Sequence, residues 1–306
     1  MINLNKSKDD ELEQFIDSFD TVITDCDGVL WHENNPVPGA SDVVNAFVKL
    51  GKKVYYVTNN STKTRDEFQE KCKKLNFYTD NDCVLSPSYL LPRYLKTINF
   101  SRKVYLIGSS GIANELTKAG IPFIGLGPDP VTSLDLSFSE FKPDPDIGAV
   151  VIGFDLHFNY LKIMKAATYL KNRDVLFIAT NTDEQFPGGN NIIIPGTGSL
   201  VRCVETCANR KALVIGKPSL LMSEALIANN KINPSRTIMI GDRCNTDILF
   251  GKRCNFSTLC VLTGVTTAEQ LNNWSNSLDP REKELVPNYY IKSLADLLPH
   301  LQNKIK

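Results

Sequence analysis

Short β-branched runs alternate with segments of helical apolar spacing along most of the chain, and this alternation constrains the fold more than any other feature. The first run is Thr21 to Asp25 and the second is Lys53 to Thr58. Later runs lie at Lys103 to Gly108, Gly148 to Phe154, Asp174 to Thr180, Ala212 to Gly216, Thr237 to Gly241 and Ser257 to Thr263. Alternating β and α units predict an α/β fold with a Rossmann-like, doubly wound, mostly parallel sheet and helices on both faces. Ligands bind such sheets at the carboxyl ends of the strands, so the residues after each run are the candidate site.

Composition argues against several classes of protein. The 34 Lys and Arg residues balance the 34 Asp and Glu residues, so no excess of positive charge indicates a nucleic-acid partner or an anionic membrane. No run reaches the ~18 apolar residues of a membrane span, and the first twenty residues lack the apolar core of a secretory signal. The eight cysteines form no Cys-x-x-Cys pair, which favours reduced thiols. We therefore expect a cytoplasmic protein that binds neither nucleic acid nor membranes.

An acidic motif, Asp25-Cys26-Asp27-Gly28, follows the first run. Its two carboxylates are two residues apart and leave the strand together, and Gly28 permits a sharp turn. An EF-hand calcium loop has glycine at its sixth position, whereas here glycine is fourth, so that type of site is excluded. An acidic surface turn stays open as an alternative. For Trp31, just beyond the motif, packing is favoured and ligand binding is the alternative.

Two other strand ends carry groups suited to an anion. The second run ends at Thr58, Asn59 and Asn60, which supply hydroxyl and amide donors for an oxyanion, or alternatively cap a turn. Lys217 follows the short apolar run Leu213 to Ile215. A lysine there can reach a bound anion as a point charge, and a solvated surface lysine is the alternative.

A second acidic pair, Asp242 and Asp247, follows the run that ends at Gly241. An N-cap and a charged first helical turn are the alternative interpretation of this pair. Because all four polar sets follow predicted parallel strands, they converge on one crevice. Carboxylates, a lysine and hydroxyl or amide donors are what a protein needs to hold a divalent cation and a phosphate together, and Mg²⁺ prefers such hard oxygen ligands.

These motifs, in this order, resemble the haloacid dehalogenase (HAD) superfamily of aspartate-nucleophile phosphatases. The resemblance is closer still to the branch that contains 4-nitrophenyl phosphatases, phosphoglycolate phosphatase and pyridoxal phosphate phosphatase. It covers about Asp17 to Leu298 and rests on the segments Asp27 to Trp31, Thr58 to Ser61, Thr180 to Asp183, Pro195 to Gly198 and Gly241 to Asp247.

The resemblance implies a role for each motif. Asp25 would be the nucleophile that forms an aspartyl-phosphate, and Asp27 the general acid and base. Mg²⁺ would be held by the side chains of Asp25 and Asp242 and by the backbone carbonyl of Asp27, while Asp247 would orient a metal-bound water from the second layer of ligands. The substrate phosphate would be bound by Thr58, Asn59, Asn60 and Lys217. The implied activity is that of a Mg²⁺-dependent phosphomonoesterase.

The resemblance also implies the domain organisation. Residues 17–98 and 211–306 would form the phosphatase core, residues 99–210 an inserted α/β cap that selects the substrate, and residues 1–16 an N-terminal arm. An acidic loop is predicted from Val131 to Pro145. Related enzymes often pair through their caps, so a homodimer through the cap is the protein partner that we predict.

Within the predicted cap, Thr180 to Pro187 corresponds to the family's substrate-specificity loop. Phe186 stands where pyridoxal phosphate phosphatases have a histidine, while an aliphatic residue there would be more typical of phosphoglycolate phosphatases, so phenylalanine matches neither group. Packing in the core of the cap is the alternative role for Phe186. The absence of the histidine disfavours pyridoxal phosphate as the substrate. Small phosphometabolites like 2-phosphoglycolate are therefore favoured as substrates, with 4-nitrophenyl phosphate as an artificial one. The alternatives are a pyridoxal phosphate phosphatase, a phosphoprotein phosphatase and a catalytically inert binder of phosphate metabolites. The intact set of Asp25, Asp27, Lys217 and Asp242 argues against the inert binder.

Overall fold

The computed structural model describes residues 1–80, 82–130, 141–187, 192–230 and 232–305. Residues 131–140 of the predicted acidic loop lie outside the described residues. The chain divides into two compact units. The first unit contains Met1–Thr58, Asp66–Leu85 and Lys217–Lys306, and the second contains Asn59–Arg65 and Ser86–Gly216. The core, cap and arm boundaries given above stay a prediction.

Strands and helices alternate in both units. The strands are β1 (Ile2–Asn3), β2 (Thr21–Thr24), β3 (Trp31–His32), β4 (Asn35–Pro36), β5 (Lys53–Val57), β6 (Val84–Leu85), β7 (Lys103–Ile107), β8 (Phe123–Ile124), β9 (Ile147–Ile152), β10 (Leu176–Ala179), β11 (Gln185–Pro187), β12 (Ile193–Pro195), β13 (Leu213–Val214), β14 (Thr237–Gly241), β15 (Ser257–Val261) and β16 (Tyr289–Ile291). The α-helices are α1 (Asp9–Asp17), α2 (Ala40–Lys49), α3 (Arg65–Lys74), α4 (Pro87–Thr97), α5 (Ser110–Ala119), α6 (Tyr160–Leu170), α7 (Thr197–Ala208), α8 (Leu220–Asn230), α9 (Leu249–Arg253), α10 (Ala268–Asn276), α11 (Pro280–Lys283) and α12 (Leu298–Ile305). Within the described residues, none of these helices combines the length and the apolar character required to cross a bilayer.

The first unit is built on a seven-stranded sheet in the order β1-β16-β15-β14-β2-β5-β6. Every neighbouring pair in this sheet is parallel. Along the chain, β2 is followed by β5 and β6 on one side, whereas β14, β15 and β16 lie on the other. The strand order therefore reverses between β2 and β14, and such a reversal creates the crevice in which open α/β sheets bind ligands. The predicted doubly wound parallel sheet is confirmed.

Local sequence explains why these elements form. All four residues of β2, Thr21 to Thr24, are buried, as expected for a central strand that is covered on both faces. Helix α2 places Val43, Val44 and Phe47 on its buried face with the spacing of an amphipathic helix. Residues 1–16 contribute the edge strand β1 and all of α1 except its last residue, and the backbone N–H of Ile2 donates to Asn288 O at 2.8 Å.

The second unit has its own parallel sheet of five strands in the order β13-β10-β9-β7-β8. Helices α6 and α7 pack on it through a buried apolar cluster that includes Val150, Phe177 and Val204. One buried ion pair accompanies this packing, with Lys162 Nζ lying 2.5 Å from Asp155 Oδ2. The antiparallel hairpin of β11 and β12 belongs to the same unit. The unit is therefore a second α/β layer structure with its own core.

Candidate active site

The nucleophile predicted from the sequence, Asp25, continues the central strand β2 by one residue. Its backbone N–H donates to Ile240 O on β14 at 2.8 Å, which places Asp25 at the switch point of the sheet. The chain then turns at once, with Gly28 in the left-handed region at φ +89°. The hydroxyl of Thr263 donates to Gly28 O at 2.6 Å and holds this turn against the end of β15. Asp25 is thereby held in place by a backbone hydrogen bond to the neighbouring strand β14 and by a side-chain hydrogen bond to the turn that follows it.

Lys217 is buried beside this carboxylate, with 1% of its surface exposed, and is not a solvated surface lysine. Its Nζ donates to Asp25 Oδ1 at 2.6 Å and to Val57 O at 2.5 Å. It also lies 2.8 Å from Asp247 Oδ1. One ammonium group thus bridges two carboxylates and the end of strand β5.

The second acidic pair comes from the end of β14 and the π-helical turn Cys244–Ile248 that follows it. Asp242 Oδ2 accepts from the backbone N–H of Val265 at 2.7 Å. Asp247 Oδ2 accepts from the backbone N–H of Arg243 at 3.0 Å, so the turn folds its own carboxylate back toward the strand end. Asp25, Asp242 and Asp247 each present a carboxylate oxygen, and these three oxygens lie within 4.8 Å of one another.

Glycines create the room for this approach. A Cβ on Gly28 would lie 2.6 Å from Asp242 Oδ2, and a Cβ on Gly264 would overlap the same oxygen far inside van der Waals contact. A Cβ on Gly241 would collide with the side chain of Asp247 in the same way. Gly264 and Thr263 were missed in the sequence, although both lie at the end of a predicted strand that neighbours the site. A glycine directly after such a strand is the signal that could have identified them.

The charges of the buried cluster do not balance. Burial raises the pKa of Asp242 to about 7, and the Asp247 carboxylate adds to this effect. Burial also raises the pKa of Asp25, against the opposing effect of the neighbouring Lys217 ammonium. Burial disfavours the charge on Lys217, but Asp247 and Asp25 outweigh burial and raise its pKa above the usual range. One ammonium offsets one of three carboxylates, and a divalent cation would offset the other two. Hard oxygen donors in this arrangement fit Mg²⁺.

Asp27 follows Asp25 by two residues in the sequence and is half-buried. The indole of Trp31 donates from Nε1 to Asp27 Oδ1 at 3.0 Å. Trp31 is completely buried, as the packing interpretation predicts. The one polar atom of its side chain nevertheless forms a hydrogen bond with the acidic motif.

The predicted phosphate-binding residues divide between the two units. Thr58 belongs to the first unit, where its backbone N–H donates to Leu85 O at 3.1 Å. Asn59 and Asn60 belong to the second. There, Asn59 Nδ2 donates to Asp183 Oδ1 at 3.2 Å, and Asn181 Nδ2 donates to Asn59 O at 2.8 Å. The second unit thus joins Asn59 to the segment predicted to be the specificity loop.

Phe186, the predicted specificity residue, lies on β11 opposite Ile194 of β12. Its ring meets Phe154 edge to face, with the ring centroids 5.8 Å apart. Its role in substrate selection stays a prediction.

Comparisons with known proteins agree with this geometry. Two family models match the chain, one for haloacid dehalogenase-like hydrolases over residues 22–122 and one described as HAD-hydrolase-like over residues 214–297. The chain is 40% identical over 292 residues to human glycerol-3-phosphate phosphatase, covering 92% of this chain and 91% of the relative. It is 36% identical over 294 residues to the 4-nitrophenylphosphatase of Schizosaccharomyces pombe, covering 94% and 96%. The solved structure of p-nitrophenyl phosphatase from Archaeoglobus fulgidus is similar with a TM-score of 0.76 at 29% identity, covering 92% of this chain and 99% of that one.

Replacing Gly264 by alanine tests the acidic cluster. The added Cβ must displace the Asp242 carboxylate, so we expect the affinity for Mg²⁺ to fall by at least about tenfold, as lost supporting contacts at metal sites typically cost 10- to 100-fold. Isothermal titration of the metal-free protein with Mg²⁺ measures this. Gly51→Ala is the control, because its Cβ meets nothing within 4 Å although Gly51 has φ +78°. It should cost about 1–2 kcal/mol of stability and leave the affinity unchanged. Equal affinities for Gly264→Ala and wild type would contradict this account of the cluster.

The buried carboxylates also predict a pH dependence of the metal-free protein. The folded state raises the pKa of Asp242 from an ordinary 3.8 to about 7, so it keeps a proton that the unfolded chain has already released. The free energy of unfolding should therefore fall as pH rises from about 4 to about 7, by up to about 4 kcal/mol. Urea unfolding in EDTA at a series of pH values measures this. Asp242→Asn should flatten this pH profile, whereas Asp42→Asn, at an exposed position, should leave it unchanged. A wild-type profile that rises over this range would contradict the prediction.

Proposed function

Because this chain belongs to the haloacid dehalogenase-like hydrolases, we propose that it is a Mg²⁺-dependent phosphatase of small phosphometabolites. It is a phosphoric monoester hydrolase, as its named relatives are. The observation that carries the proposal is the buried cluster at the switch point, in which Lys217 lies between Asp25 and Asp247 and Asp242 completes a set of three carboxylates.

In the first step, a carboxylate oxygen of Asp25 attacks the phosphorus of the bound monoester. A P–O bond to Asp25 forms as the P–O bond to the leaving group breaks, and Asp27 gives its proton to the leaving oxygen to yield the alcohol. Lys217, which donates to Asp25 at 2.6 Å, orients the nucleophile and offsets negative charge near the phosphate.

In the second step, water attacks the phosphorus of the aspartyl-phosphate. The carboxylate of Asp27 takes the proton of that water, and the P–O bond to Asp25 breaks. Inorganic phosphate leaves and the Asp25 carboxylate is restored. Splitting the hydrolysis in this way replaces one difficult displacement with two easier ones.

Asp25, Asp242 and the backbone carbonyl of Asp27 would hold Mg²⁺, and Asp247 would orient its water ligands. When bound there, Mg²⁺ supplies Lewis-acid stabilisation of charge on the phosphoryl oxygens. The unbalanced carboxylates and the glycines that let them approach support this assignment.

For the substrate, we propose small alkyl phosphates such as 2-phosphoglycolate and glycerol 3-phosphate. Both are esters of a primary alcohol and differ only in the short group attached to it. The human relative is named for its activity on glycerol 3-phosphate, which supports this class. Phe186, where pyridoxal phosphate phosphatases have histidine, speaks against pyridoxal 5′-phosphate. The cap that the family resemblance implies would also hinder phosphoproteins as substrates. The proposed form of the enzyme is a cytoplasmic homodimer.

Asp25→Asn tests the nucleophile. We expect phosphate release from 4-nitrophenyl phosphate to require Mg²⁺, to stop with EDTA and to fall at least about a thousandfold in the variant, since an amide cannot form the aspartyl-phosphate. Wild type and variant are compared by release of nitrophenolate, with circular dichroism to confirm folding. Full activity of Asp25→Asn would refute the mechanism. Metal-dependent ligand binding by wild type without turnover on any ester would favour the inert binder instead.

A substrate panel tests the proposed specificity. We expect kcat/KM for 2-phosphoglycolate or glycerol 3-phosphate to exceed that for pyridoxal 5′-phosphate by at least about tenfold, equivalent to about 1.4 kcal/mol of transition-state binding. Phosphate release under identical conditions measures it. Phe186→His should raise the relative rate on pyridoxal 5′-phosphate, whereas Phe186→Leu, the matched control, should not. A wild-type preference for pyridoxal 5′-phosphate would reverse the ranking.

A further inference from the structure

We infer that Trp31 is a positioning residue for the acid–base step, and that its indole N–H holds the Asp27 carboxyl group in a single orientation. The inference rests on the proposed function, in which Asp27 transfers the proton. The observation behind it is the hydrogen bond from Trp31 Nε1 to Asp27 Oδ1 at 3.0 Å.

The backbone closes the same turn on which this bond lies. Gly28 N donates to Trp31 O at 2.8 Å, Trp31 N donates to Cys26 O at 3.2 Å, and Asp27 and Trp31 form an isolated β-bridge. The indole bond crosses a turn that is already fixed at both ends. The Asp27 side chain therefore cannot rotate away from this orientation without breaking its bond to Trp31.

The indole itself has little freedom to move. Trp31 is completely buried, and Phe77 packs against it edge to face with ring centroids 5.6 Å apart. The ammonium group of Lys71 lies 4.3 Å from the centre of the indole, and also donates to Glu33 O at 2.5 Å. A cation over the face of an indole is attracted by the electron density of the ring. Phe77 and Lys71, which lie outside the turn, thus restrict the indole ring, and the indole N–H in turn orients Asp27.

The bond also assigns the two oxygens of Asp27 different tasks. An indole N–H is a donor only, so Oδ1 must accept from Trp31 in either protonation state of the carboxyl group. The proton that moves to the leaving oxygen, and later comes from the attacking water, is then carried by Oδ2. Without the indole N–H, the two oxygens become equivalent and the carboxyl group can rotate.

Comparing substrates with different leaving groups distinguishes a positioning role of Trp31 from a purely structural one. An alkoxide needs a proton as it departs, whereas 4-nitrophenolate is a stabilised anion that departs without one. The constant kcat/KM reports the steps up to the first irreversible one, which here include departure of the leaving group. Loss of positioning at Asp27 should therefore lower kcat/KM for an alkyl phosphate and spare the aryl phosphate, while general damage to the site lowers both.

The test is Trp31→Phe, which keeps an aromatic ring and removes the N–H. We expect kcat/KM for glycerol 3-phosphate to fall about 10- to 100-fold, part of the 10²–10⁴ that general acid–base catalysis supplies, and that for 4-nitrophenyl phosphate to fall less than about threefold. Trp274→Phe is the matched control at the other tryptophan of the chain, which packs against the apolar cluster that contains Leu271 and Cys244, and it should change neither constant.

Lys71→Met is a second variant, in case Trp31→Phe fails to fold. It loosens the indole without touching the hydrogen bond, and the same selective loss is expected at about two- to fivefold. An equal fall on both esters in the folded variants, or no fall on the alkyl ester, would overturn the inference.

Asp27→Asn distinguishes this failure from failure of the proposed function. If the proposed function is right, Asp27→Asn lowers kcat/KM for the alkyl ester far more than for the aryl ester. If that variant hydrolyses the alkyl ester normally, the acid–base role of Asp27 is wrong. If Asp27→Asn is selective and Trp31→Phe is not, only the role of Trp31 is wrong.

Discussion

The active site depends on a buried imbalance of charge. Lys217 is surrounded by protein and bonded to Asp25, and it faces Asp247, while Asp242 lies close to both carboxylates. Burying charged groups costs several kcal/mol each unless partners compensate them, and one ammonium cannot compensate three carboxylates. In the metal-free protein, burial together with the nearby Asp247 carboxylate raises the pKa of Asp242. Three carboxylates that one ammonium leaves uncompensated form a cluster that fits a divalent cation.

Backbone geometry is what maintains this imbalance. The three carboxylates come from two adjacent strand ends and from a π-helical turn, and they would separate if the turns could relax. Gly28 and Gly264 permit the backbone to approach the Asp242 side chain, and Gly241 does the same for Asp247. Hydrogen bonds from the Arg243 and Val265 backbone N–H groups hold the carboxylates once they are there. Repulsion among the three carboxylates is therefore opposed by hydrogen bonds from backbone N–H groups that follow the strand ends.

In the second unit, hydrogen bonds connect Asn59 with the predicted specificity loop. Asn59 follows the first unit's Thr58 directly in the chain, yet its side chain is bonded to Asp183, and its carbonyl accepts from Asn181. The segment that follows Thr58, which we predict to bind phosphate, and the predicted specificity loop are thus parts of one hydrogen-bonded network. A buried Lys162–Asp155 pair lies in the same unit and has no role in the proposed chemistry. Its burial makes each partner dependent on the other.

The sequence alone was sufficient to predict the doubly wound sheet, because strand and helix periodicities are local and their alternation leaves few ways to build a core. It was also sufficient to single out Asp25, Asp242 and Asp247, because polar residues that follow neighbouring parallel strands of one sheet converge. Lys217 was singled out on the same argument, but the strand before it, β13, belongs to the five-stranded sheet of the second unit, so convergence of strand ends does not explain its position beside Asp25. Only the tertiary structure decided how closely these residues meet, since Lys217 and Asp25 are 192 residues apart and their 2.6 Å contact depends on how the chain packs after β13. The same holds for the collision that Gly264 avoids, for the bond between Trp31 and Asp27 across a tight turn, and for the link between Asn59 and Asp183. Each depends on side-chain directions that only packing determines.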